Sequence, residues 1–134
     1  FTGFFSPLSP AGDSSNSGSF NLSKSVTAKW TLQDSSGKYV GNLNANTLLV
    51  AVGPLGNGTC PLPSQVPVYL NYTGPSSILY SPQSGAKGNS TFRIATSNNQ
   101  FIFNWDTKTT PPGCYVLELD LDSGQVERTS LKLQ

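Results

Sequence analysis

Glu118 and Asp120 stand two residues apart in the run Leu117-Glu-Leu-Asp-Leu121. Paired carboxylates cleave glycosides when they face each other across a cleft. Two apart on one strand they share a face instead, while Tyr115, Leu117, Leu119 and Leu121 take the opposite one. The spacing therefore predicts a solvated or Lys-paired acidic face rather than a catalytic dyad. Asp120, Asp122, Gly124 and Glu127 resemble part of a calcium loop, but such a loop needs a third oxygen ligand before a glycine at its sixth position. Here the glycine comes one place early, inside a turn, and an acidic hairpin is expected. The chain has many serines but no histidine, the usual base that activates a serine nucleophile. A Lys–Asn isopeptide bond would require Lys29 to be buried beside a carboxylic acid. Alternation instead puts Lys29 on the face opposite Trp30. These residues predict a protein that is not an enzyme, with no catalytic residue, no metal and no cofactor.

Cys60 and Cys114 are the two cysteines. They form no C-x-x-C pair, and two cysteines without histidine make a poor zinc site. A disulfide is the favoured reading over two buried free thiols. It would close a loop of about 54 residues, worth on the order of 4 kcal/mol in the chain-entropy account. Four N-x-S/T sequons, at Asn21, Asn57, Asn71 and Asn89, are candidate N-glycosylation sites. Their number is near what chance gives in a chain so rich in Ser and Thr; Asn57 and Asn89 fall in Gly-rich loops with room for a glycan.

At 134 residues the chain is long enough to bury a core as one domain. Its net charge of +1 gives no basic field for nucleic acid. Charged residues make up 11%, well under the quarter or so of a typical soluble domain, so solubility must rest on hydroxyls, amides or attached sugar. No apolar run approaches the roughly 20 residues that cross a bilayer, and none reads as a signal peptide. With Phe1 at its start, the chain reads as a processed form or a domain cut from something longer. A secreted, extracellular or cell-surface location is expected.

The elements are short and extended. Residues 1–8 form an apolar N-terminal strand, and residues 9–19 have linker composition, so 1–19 reads as a strand plus tether and 20–134 as the main domain. Val26, Ala28, Trp30 and Leu32 alternate with polar neighbours. Thr47 to Val52 is continuously apolar, as in a strand buried on both faces. Val66, Val68, Leu70 and Tyr72 alternate with Pro67, Tyr69 and Asn71, which predicts an edge or bulged strand with Tyr69 outward. Thr91–Ala95 follows as a short strand. Phe101, Phe103 and Trp105 then mark one strand face, Tyr115 to Leu121 another, and Ser123-Gly124 a hairpin turning into Arg128–Leu133. Trp30 and Trp105, in phase with the inward residues, are expected in the core, which leaves Tyr69 as the candidate exposed platform for a ligand. About seven strands without a helical period predict an all-β, immunoglobulin-like antiparallel β-sandwich with one disulfide.

The opening Phe1-Thr-Gly-Phe-Phe-Ser-Pro7 resembles the G-F-F-x-P start of PxKF domains, non-catalytic modules of secreted and cell-surface prokaryotic proteins. Val26-Thr-Ala-Lys-Trp-Thr-Leu32 resembles their V-P-V-K-F-x-L strand, with Thr27 for Pro and Trp30 for Phe. Phe103-Asn-Trp-Asp-Thr107 with Gly113-Cys-Tyr115 resembles their Y-x-W-x-T … G-x-C-Y segment, and Leu121-Asp-Ser-Gly124 their L-x-D-G turn. The resemblance runs nearly end to end through short motifs. It implies a secreted β-sandwich with Cys60 and Cys114 at the family's cysteine positions, and no catalytic residues.

An apolar strand on a tether of about 11 residues reaches at most roughly 35–40 Å. Such a strand folds back onto its own sheet or adds to a neighbour's open edge. Head-to-tail addition builds filaments when the rotation does not close. Phe1, Phe4, Phe5 and Leu8 are the candidate strand-donor residues, and self-association or a cell-surface partner is expected. The main alternatives are a carbohydrate- or protein-binding adhesion module, contacting its ligand through Tyr69 and the loops at 53–58 and 81–89, and a spacer domain of a larger secreted protein.

Overall fold

A computed structural model describes residues 3–41 and 47–134. Nine strands occur among them: β1 Asn16–Phe20, β2 Val26–Trp30, β3 Leu48–Val52, β4 Ser76–Ser81, β5 Gly85–Ala86, β6 Thr91–Ala95, β7 Gln100–Trp105, β8 Gly113–Asp120 and β9 Val126–Leu133. They form a six-stranded sheet in the order β1-β9-β8-β3-β4-β5 and a three-stranded sheet in the order β2-β7-β6. The expected all-β class is present, with more strands than the seven or so foreseen. Every pairing is antiparallel except β1 with β9, which is parallel.

β1 falls where a tether was expected. Its sequence, Asn-Ser-Gly-Ser-Phe, has almost no apolar side chain, and it lies at the sheet edge where none is required. β4 and β5 are illegible in the sequence for a related reason, since their Ser and Gly content hides any alternation.

The inward faces of both sheets share one apolar cluster. β2 contributes Val26, Ala28 and Trp30, and β7 contributes Phe101, Phe103 and Trp105. From the larger sheet come Leu49, Ala51, Tyr115, Leu117, Leu119, Leu131 and Leu133. Trp30 stacks on Phe101 with ring centroids 5.7 Å apart, and Trp105 meets Tyr115 edge-on at the same distance. Both tryptophans are core residues, as their phase in the sequence required.

β3 explains its own unbroken apolar run. Leu49 and Ala51 join the shared cluster, while Val50 and Val52 form a second cluster on the outer face of the larger sheet with Val116 and Val66. Something must cover that outer face, and residues 61–72 do so. An alternating strand was expected at 66–72; the segment instead carries two short 3-10 turns, Pro63–Gln65 and Tyr69–Asn71. Pro67 has no N–H for a ladder. Leu70, expected inward, is 88% exposed.

Leaving β3, the chain turns at Gly53 and lies along the start of β8, where Leu55 N–H donates to Cys114 O at 2.8 Å and Cys114 N–H to Gly56 O at 2.7 Å. Gly53 has φ +143°, and a Cβ there would stand 2.7 Å from Cys114 O. Only glycine permits this approach.

Candidate functional site

Cys60 and Cys114 are joined in a disulfide with Cα atoms 5.3 Å apart. Cys114 lies in β8, and Cys60 opens the strap, residues 61–72, that crosses the outer face of the larger sheet. The bond therefore ties a covering segment to a central strand of one sheet. Further along, Ser130 Oγ donates to Pro61 O at 2.6 Å, and Arg128 Nη1 donates to Val66 O at 2.6 Å.

The strap ends over a carboxyl pair. Glu118 and Asp120 were expected on a solvated face, and that expectation is overturned: the Glu118 side chain is 0% exposed and Asp120 is half-buried. They do leave the face of the shared core, but the opposite face is covered too. Tyr69 N–H donates to both Glu118 oxygens, at 3.1 Å each. Arg128 Nη1 stands 4.0 Å from Glu118 Oε1, and Asp120 Oδ1 is buried without a hydrogen-bond partner of its own among the described residues. Burial pushes the Glu118 carboxyl up to about 8, helped by hydrogen bonding to Asp120 and by its charge; the Tyr69 N–H and the Arg128 guanidinium pull the other way. Burial also raises Asp120, against the effects of Glu118 and Arg128. The pair thus holds a proton at neutral pH.

A cavity of about 260 Å³ lies beside the pair, walled by Leu48, Val68, Leu70, Leu121 and Val126. Tyr69, expected outward as a platform, is half-buried here, packed against the second cluster.

The N-terminal arm is placed within the same chain. Phe4 and Leu8 are buried in the shared cluster. Phe5 is partly exposed and forms an isolated bridge to the outer edge of β2, with Phe5 N–H donating to Lys29 O at 3.0 Å. Phe1 lies outside the described residues. Downstream of the arm, Gly12 N–H donates to Arg128 O and Asp13 O accepts from Ser64 N–H, both at 3.0 Å.

A larger groove of about 450 Å³ opens at one end between the sheets. The two loops expected to make ligand contacts meet there, Gly53 and Pro54 from one and Lys87, Gly88 and Asn89 from the other. Trp105 and Tyr115 form its floor but are only 4% and 3% exposed, so neither offers a ring face. Lys87 Nζ donates to Ser77 Oγ at 2.6 Å, and Asp106 Oδ1 accepts from Lys108 N–H at 3.1 Å. Tyr69 is on the other face of the larger sheet and does not join this groove.

The four sequon asparagines, Asn21, Asn57, Asn71 and Asn89, are all exposed. Asn21 Oδ1 is occupied locally, accepting from Ser23 N–H and Oγ at 2.8 Å. Among the described residues, no three His, Cys, Asp or Glu side chains gather closely enough to hold a metal ion, and no helix is long and apolar enough to cross a membrane. Comparison with family models, curated proteins and solved structures gives no match.

Proposed function

We propose that the chain is a non-catalytic extracellular structural module of immunoglobulin-like sandwich type, and that copies of it join by exchanging the N-terminal arm. The carrying observation is the arm itself. Phe4 and Leu8 are core residues, yet the arm meets β2 through an isolated bridge at an edge that bears no other strand among the described residues. An edge of this kind accepts an added strand from its own chain or from another. The disulfide, the sparse charge and the PxKF-like motifs support an extracellular setting.

The test compares the intact chain with one lacking residues 1–8, by size-exclusion chromatography with light scattering and by negative-stain microscopy. Arm exchange predicts oligomers or filaments from the intact chain. The truncated chain should stay monomeric and take up a synthetic peptide of residues 1–8. An intact chain that stays monomeric across concentrations sinks the exchange and leaves a spacer module whose arm completes its own domain.

A second reading, a carbohydrate- or protein-binding module, is favoured by the convergence of the 53–58 and 81–89 loops on the 450 Å³ groove. Binding on a glycan array, lost when Ser77 and Asn89 are changed to bulky residues, would support it.

A further inference from the structure

The strap crosses the sheet face without a backbone ladder. Past Pro61, it is held to that face by the packing of Val66, Tyr69 and Tyr72 on the Val50, Val52 and Val116 cluster, by the Arg128 bond to Val66 O, and by the Tyr69 N–H on Glu118. A segment held by so few bonds opens without unfolding the sheet beneath it. We propose that residues 66–70 form a proton-locked latch: the closed strap buries Glu118 in its protonated form, and opening hydrates that carboxyl and releases the proton.

The surroundings of Glu118 make closure proton-dependent. On its own strand stands Asp120, which accepts one negative charge for the pair. From β9 comes Arg128, the single cation facing the pair among the described residues, and its Nη1 is already committed to Val66 O at 2.6 Å. β3 offers only Leu48 and Val50, paired in register with Asp120 and Glu118, and β9 sets Val126 beside Asp120. The strap contributes Tyr69 and Tyr72. One guanidinium therefore balances one carboxylate, and a second buried negative charge has no counter-ion.

The linkage fixes the direction. With the strap closed, Glu118 releases its proton at about 8; hydrated, it does so near 4.5. Between those limits each pH unit raises the open population about tenfold, and above about 8 the effect levels off. Opening bares Val50, Val52 and Val116 on the outer sheet face, so the apolar surface the module shows is set by pH.

Amide hydrogen exchange followed by NMR from pH 5 to 9, corrected for intrinsic rates, tests this on the full chain. The Tyr69 amide should lose about tenfold protection per unit up to about pH 8, then plateau. Low urea should leave its exchange unchanged, the mark of local opening, while core amides such as Leu117 and Leu131 stay more protected and respond to urea. Glu118→Gln, which keeps the acceptor for Tyr69 N–H and a donor toward Asp120, should remove the pH dependence. Tyr69 protection that does not change with pH overturns the latch. So does Tyr69 exchange that follows the core amides in urea, or a Glu118→Gln chain that loses protection like the native one. If Glu118→Gln does not fold, the pH and urea profile of the native chain decides alone.

Discussion

Trp30 carries a buried indole N–H with no hydrogen-bond partner among the described residues, on a ring that stacks against Phe101. An unsatisfied buried donor costs about 1–3 kcal/mol, comparable to what the ring loses in volume on truncation to Phe. Trp30→Phe should therefore change stability by less than about 1 kcal/mol in urea melts, whereas Phe101→Ala should cost about 3–5 kcal/mol. A loss above about 2 kcal/mol on Trp30→Phe would show that the indole has a partner, such as an ordered water. Trp30's inward position was legible, because Val26, Ala28 and Trp30 alternate without interruption. The state of Glu118 was not. Alternation says which face of a strand a side chain takes, and Glu118 does leave the core face; it cannot say that a loop some 50 residues earlier in the chain covers the other side.

Among the elements, β3 is the one whose sequence states its surroundings most directly, since an unbroken Leu-Leu-Val-Ala-Val run leaves no polar face. The same run implied that an apolar cover existed somewhere. That cover proved to be the strap, whose own alternating pattern reads as a strand and misleads. Pro61, Pro63 and Pro67 remove three backbone donors from it, and the ladder is replaced by side-chain bonds to carbonyls from Ser130 and Arg128. The cysteine pairing was legible from composition, but its place was not, because the bond anchors the strap rather than linking the two sheets. Replacing both cysteines with serine should cost about 3–4 kcal/mol by the loop it opens, 54 residues apart in sequence. The loss should appear as a lower urea midpoint and as faster proteolysis within 61–72. An unchanged midpoint would mean that the polar bonds alone hold the strap.

For the molecule as a whole, the buried proton gives stability an unusual pH profile. A carboxyl raised from 4.5 to about 8 on folding adds stability in full below 4.5 and loses it as pH rises toward 8. Asp34 has the opposite sign, being lowered chiefly by the Ser36 hydroxyl and then by the Lys38 N–H, but it acts only below its ordinary value of 3.8. The urea midpoint should therefore fall steadily from pH 5 to 8. Glu118→Gln should flatten that fall, a difference on the order of 2–4 kcal/mol across the window. A midpoint that rises over the same range would place the proton elsewhere. The two-sheet plan was legible from strand patterns, while the strand order was not, since it depends on edge strands with almost no apolar content.

The parallel pairing of β1 with β9 also has a mechanical meaning. Asn16 lies opposite Ser130, and Phe20 opposite Leu133. Tension applied upstream of β1 and downstream of β9 drags these strands past each other in shear. Their hydrogen bonds then share the load together instead of unzipping in turn, so the β1–β9 edge resists being pulled apart from points flanking these two strands.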